Sequence, residues 1–145
     1  MRKNKVNIFD KLDTKAQIKI NKSVKEIHPV AKNIVYNLAE LEFIHFIRVS
    51  PEYLQASNEF TEGRIKIPAT KPSHPTAIGV QLILDIDYKD IQFFEITSAI
   101  EGCGGKMADS VMNALTADWK GYVVMDWSRG FWSKMKEKHE NLYIL

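Results

Sequence analysis

The stretch Gly102-Cys103-Gly104-Gly105-Lys106 stands between a run of strand formers, Ile91 to Ala99, and a segment whose apolar residues Met107, Val111, Met112 and Leu115 share one helical face. A strand that turns through glycines into a helix is the arrangement of α/β folds, and it restricts what the rest of the chain can build. Glycines let the backbone approach a ligand closely, and the first N–H groups of the following helix have no acceptor within it. Such an end attracts anions, and the helix dipole adds about 0.3–1 kcal/mol for a negative group. Lys106 supplies a counter-charge. The stretch fits neither Gly-x-x-x-x-Gly-Lys-Ser/Thr nor Gly-x-Gly-x-x-Gly, so mononucleotide and Rossmann dinucleotide readings lack their residues. The competing reading is a glycine-rich turn kept only for tight packing.

Before the glycines, Gly79 to Asp87 and Ile91 to Ala99 are rich in strand formers, and Tyr88-Lys89-Asp90 turns between them, which predicts an antiparallel hairpin. After them, Gly121 to Asp126 predicts a short buried strand, Arg129 to Lys138 a second helix and Leu142 to Leu145 a final strand. Helices between strands imply crossovers, so part of the sheet is parallel. In the first half, Pro29 suits a first helical position, and Val30, Ile34, Val35, Leu38 and Leu41 mark an amphipathic helix over 29–42. Phe43 to Val49 predicts a strand ended by Ser50-Pro51, Glu52 to Ala56 a short helical turn, and Arg64 to Pro68 an edge strand. Pro68, Pro72 and Pro75 fall in an exposed loop, and residues 1–23 have weak periodicity in either template. The expected fold is α/β (α+β): a mixed central sheet flanked by helices, in one domain over 1–145.

A chain of 145 residues, 45% hydrophobic, is long enough to bury a core and lies far from the composition of disorder. Twenty Lys and Arg against 18 Asp and Glu give +2, too little for a nucleic-acid footprint. Cys103 is the single cysteine, so no intramolecular disulfide forms. The start Met1-Arg2-Lys3-Asn4-Lys5 leads into no apolar leader, and no apolar stretch has the length to span a bilayer. The expected setting is the cytoplasm, with no nucleic-acid or membrane partner and a homodimer left open.

From Thr76 onward the order of elements resembles the GCN5-related N-acetyltransferase superfamily. Gly102-Cys103-Gly104 stands where that family has its Gly-x-Gly, Gly105 to Leu115 where it has the pyrophosphate helix, and Gly130-Phe131-Trp132-Ser133-Lys134-Met135 looks like its Phe-Tyr-x-Lys segment. The resemblance implies an acyl-CoA N-acyltransferase-like fold that takes acetyl-coenzyme A as co-substrate and a small-molecule or peptide amine as acceptor. Main-chain N–H groups of Gly102, Cys103, Gly104, Gly105 and Lys106 would hold the pyrophosphate, and Thr97, Ser98 and Ala99 would line the pantetheine. Amine acylation needs a base for the ammonium proton, and Glu95 lies in the strand where the family frequently places a carboxylate. By strand alternation, Phe93, Glu95 and Thr97 share one face. Two positions depart from the family: Ala99 stands where Gln or Arg is usual, and Trp132 where a tyrosine often serves as general acid. Tyr122 and Tyr143 are alternative proton donors by residue type alone. A coenzyme-binding or protein-interaction module without turnover is therefore the alternative, and a purely structural α/β protein the third reading.

Cys103, before a helix N-terminus and beside Lys106, has the setting of a reactive thiol. A nucleophilic role needs a histidine base, and none of His28, His45, His74 and His139 has a telling spacing, so small filler is the simpler expectation. The same four histidines and Cys103 show no metal-ligand spacing. Trp119, Trp127 and Trp132 read as core packing, Asp85 and Asp87 as surface or turn residues, and Arg129 as a capping or surface residue.

Overall fold

The computed structural model describes residues 16–62, 65–67, 78–98, 102–124 and 130–145. Residues 1–15, the proline loop, Ala99, Trp127 and Arg129 lie outside the described residues.

The first helix, α1 (Pro29–Ala39), begins where Pro29 fixes the first helical position and His28 Nδ1 accepts the Val30 N–H at 3.1 Å. Its apolar face, Val30, Ile34, Val35 and Leu38, is buried. Around it the strands β1 (Gln17–Ile20), β2 (Phe46–Ser50), β3 (Tyr53–Ser57), β6 (Ile78–Asp85), β7 (Asp90–Ser98), β8 (Lys120–Val123) and β9 (Leu142–Ile144) form a seven-stranded sheet in the order β1-β2-β3-β6-β7-β8-β9. Two short strands, β4 (Phe60–Glu62) and β5 (Ile65–Ile67), pair separately. The helices α2 (Cys103–Met112) and α3 (Phe131–Lys138) connect β7 to β8 and β8 to β9.

The sheet is mixed. β1 runs parallel to β2, the pairs from β2 through β7 are antiparallel, and β7, β8 and β9 are parallel. The β6–β7 hairpin forms as its alternation predicts, with Asp85 accepting the Tyr88 N–H at 3.0 Å in the turn. The expected helical turn over 52–56 is a strand instead. Pro51 and Glu52 fill a tight turn, after which Tyr53-Leu54-Gln55-Ala56 alternates half-buried and buried residues and pairs with strands on both sides. Part of the weakly periodic N-terminal segment, 17–20, is edge strand β1.

One face of the sheet carries the core. Ile47, Ala56, Val80 and Ile96 stand in one cross-strand row, and they join Leu54, Leu82 and Phe93 in a cluster with the buried faces of all three helices. The other face shows a second row, Arg48, Gln55, Gln81 and Glu95. None of the helices among the described residues is long and apolar enough to cross a membrane.

Candidate functional site

Helix α2 starts one residue after a sharp turn that only Gly102, at φ 95°, needs to make. Cys103 is already helical, so Gly104, Gly105 and Lys106 form the first turn of the helix and not a loop before it. The first bond inside it runs from the Lys106 N–H to the Gly102 carbonyl at 3.2 Å, no side chain caps the end, and its first turn holds no acidic residue. The N–H groups of Cys103, Gly104 and Gly105 therefore have no acceptor within the helix. Helix α3 begins in the same way, after Gly130 at φ 110° and without a side-chain cap. Because β7, β8 and β9 are parallel, both helices start at the same end of the sheet, beyond the carboxyl ends of those strands. That is where open α/β sheets bind ligands.

The two starts are neighbours. A β-carbon added at Gly104 would lie 3.6 Å from the Phe131 ring. Between the helices runs a groove of about 440 Å³, lined by Ser98, Gly102, Gly104, Gly105, Phe131 and Lys134, with Lys138 farther along α3. Lys106 and Lys134 are exposed and make no ion pair among the described residues. The role of α3 in lining this groove was the part missed from sequence, although the spacing of Phe131, Lys134 and Lys138 puts them on one helical face.

The glycines distinguish packing from access. At Gly79 and Gly121 a β-carbon would collide, 2.9 Å from the Ala56 carbonyl oxygen and 2.7 Å from Met112 Sδ, so close packing accounts for both. At Gly102 and Gly105 it would meet nothing within 4 Å, and at Gly104 only ordinary contacts. Tight packing does not explain the glycines of this helix end.

Cys103 is 9% exposed and belongs to the core cluster with Met107 and Val111, which fits filler and not an accessible nucleophile. Trp132 is buried too, its ring 4.8 Å from that of Phe93, and Trp119 packs on His28. No group of three or more His, Cys, Asp or Glu among the described residues is placed to hold a metal ion.

Glu95 lies elsewhere, because the strand that carries it is bulged. Leu82 pairs with Phe93 and its neighbour Gln81 with Glu95, which leaves Phe94 as the extra residue, 57% exposed. The bulge breaks the expected alternation: Phe93 faces the core, while Glu95 and Thr97 share the opposite, polar face. Ile96 and Ser98 return to the helix side, where Ser98 meets the groove. Thus Ser98, Gly102, Gly104 and Gly105 gather at the groove, Lys106 projects from the same helical turn, and Glu95 and Thr97 stand across the sheet. β8 pairs with β7 only at Asp90, Ile91 and Gln92, so among the described residues β7 runs on from Phe93 without β8 beside it.

Near Glu95 on the polar face, burial pushes the Tyr53 hydroxyl above its ordinary pKa, the Arg48 guanidinium pulls it down and the Glu95 carboxylate raises it again, for a net rise. Arg48 itself is held by both oxygens of Glu59, at 2.9 and 2.8 Å, and lies 4.2 Å over the Phe46 ring. Tyr122 and Tyr143 stack at 5.6 Å, Tyr122 standing beside Gln92 in register.

What fold and site define is a mixed α+β protein whose seven-stranded sheet is covered by helices on one face, with two uncapped helix starts over a groove. Compared with protein-family models, curated proteins and solved structures, the chain gives no match.

Proposed function

We propose that the groove binds acetyl-coenzyme A and that the protein transfers its acetyl group to an amine. The observation that carries this reading is the bare start of α2: glycines that packing does not require, N–H groups without intrahelical acceptors, and a second uncapped helix start beside them. A diphosphate suits such a pair of ends better than a single anion does, since each helix can donate to one phosphoryl group. Lys106 and Lys134 supply the balancing charge. The length of β7 beyond its pairing with β8 offers main-chain N–H and C=O groups to an extended amide-bearing arm, much as a sheet edge accepts an added strand.

Bound there, the coenzyme would supply a thioester whose carbonyl carbon an amine attacks, the carbon–sulfur bond breaking and the thiolate leaving with the second proton that the nitrogen sheds. The chain's own contribution is to hold the coenzyme at the helix starts and to take a proton. The Glu95 carboxylate receives it from the acceptor's ammonium, leaving a lone pair on nitrogen. For this transfer the acceptor on the polar face and the coenzyme on the helix side would have to meet beside β7, past its pairing with β8. Trp132 supports a second reading: where the resembling family often has a proton-donating tyrosine, this chain has a buried indole that cannot act as an acid near neutral pH. A binding module without turnover would keep the groove and lack the transfer.

Millimolar acetyl-coenzyme A, at a hundredfold its dissociation constant, stabilises a folded protein by about 2.7 kcal/mol, which for this size is a rise of roughly 5–10 °C in the melting midpoint. Gly104→Glu, which puts a carboxylate into the groove, is expected to abolish the rise. No rise in the wild-type protein would sink the coenzyme reading. Turnover on amines, lost in Glu95→Gln, separates the enzyme from the binding module; normal acetylation by that variant across the pH range would remove Glu95 as base.

A further inference from the structure

We propose that the polar face around Glu95 is the acceptor site, and that Tyr53, Gln55, Gln81 and Gln92 select a primary monoamine whose neighbouring groups are uncharged hydrogen bonders, an amino sugar. The proposal rests on the acyl-transfer reading for its chemistry. Its geometry is independent of the coenzyme groove. Gln55, Gln81 and Glu95 stand directly opposite one another on β3, β6 and β7, and Tyr53 and Gln92 flank Ile83 in the next row on the same face. All of these polar side chains are half-buried. Among the described residues, Tyr53, Gln81 and Gln92 make no side-chain hydrogen bond, and Glu95 makes no ion pair. Gln55 accepts a long bond from Arg48, at 3.5 Å; the other polar groups of this face, drawn partly out of water and without such a bond among the described residues, are an arrangement that a hydrogen-bonding ligand satisfies.

The kinds of group on this face favour one class of acceptor. Carboxamides and a phenol both donate and accept, which matches hydroxyls on adjacent carbons. A polyamine would call for several carboxylates, and the row presents one, Glu95. An anionic acceptor would call for a free cation, and the guanidinium of Arg48 is engaged by Glu59. Tyr53 and Glu95 stand two strands and two residues apart, roughly 12 Å between backbones, a span that a hexose fills between a phenol and a carboxylate.

The test is to titrate the full chain with glucosamine, in the absence of coenzyme, and follow the Tyr53 ring and the side-chain amides of Gln55, Gln81 and Gln92 by NMR. Those resonances should move together and saturate. Tyr53→Phe and Gln81→Leu should each weaken the affinity about 3- to 10-fold, the loss of one hydrogen bond, while leaving the response to acetyl-coenzyme A unchanged. Gly104→Glu should lose acetyl-coenzyme A and keep glucosamine. If spermidine or trialanine moves the same resonances and glucosamine does not, the acceptor class is wrong; if none of the three amines moves them, the face is not an acceptor site. Loss of the acetyl-coenzyme A response in the wild-type protein, with glucosamine still bound here, would overturn the coenzyme reading instead.

Discussion

At Gly105 a β-carbon would meet no atom within 4 Å, so Gly105→Ala removes a helix-breaking residue without a clash. Stability should rise by about 0.5–1 kcal/mol, some 2–4 °C in the melting midpoint. If the bare backbone is kept for a ligand, the same variant should bind acetyl-coenzyme A more weakly, and opposite signs in the two measurements separate access from packing. Gly102→Ala should cost stability, roughly 1–2 kcal/mol, because its φ of 95° is one that L side chains rarely adopt. On the polar face Glu59 is 1% exposed and both of its oxygens accept from Arg48. Arg48→Ala removes the two charge-assisted hydrogen bonds that this buried carboxylate accepts from the guanidinium. The expected loss is about 3 kcal/mol, the lower end of the cost of breaking a buried pair because Arg48 is partly solvated. A urea midpoint within error of wild type would show that the pair contributes little.

Between elements, Asp109 of α2 accepts from Lys138 Nζ and His139 Nε2 at the end of α3, each at 2.7 Å, and so ties the two walls of the groove together. Burial pushes the Asp109 carboxyl up, but the hydrogen bonds from Lys138 and His139 outweigh it and hold the group below the ordinary carboxylate value. A carboxyl with a depressed folded-state pKa contributes stability that is complete above its unfolded value, about 3.9, and is lost as pH falls through the folded value. Asp109→Asn should therefore melt below wild type at pH 7, and the gap should close as pH drops below about 4. An equal gap at pH 3 and pH 7 would contradict the assignment. This clamp was not legible in the sequence, since Asp109 and His139 meet only after β8 has brought the two helices side by side. The hairpin from Ile78 to Ser98 was legible, because period-2 apolar runs flank a turn. The bulge at Phe94 was not, because Phe93-Phe94-Glu95 reads equally well in either register and the partner strand decides. Strand β3 was missed for a related reason: Tyr53 to Ser57 is too short for its period to outweigh the helical propensity of Glu, Leu, Gln and Ala, and pairing on both edges settles it.

For the molecule as a whole, the sheet acts as a partition. Its apolar side carries the helices and the groove; its polar side carries Glu95, Tyr53 and the glutamines. The parallel arrangement of β7, β8 and β9 aims both helix starts at one end, and among the described residues β7 runs on past Gln92 without β8 paired to it. The glycine stretch announced the first of these features in the sequence. The second required the register, which no single segment encodes. The central claim is that the N–H groups at the start of α2 hold the coenzyme's pyrophosphate, and the most direct measurement is an amide ¹H–¹⁵N NMR titration of the full chain with acetyl-coenzyme A. The account predicts the largest, saturable shifts at Cys103, Gly104, Gly105 and Phe131. Shifts confined to other parts of the chain, or none at saturating coenzyme, would contradict it.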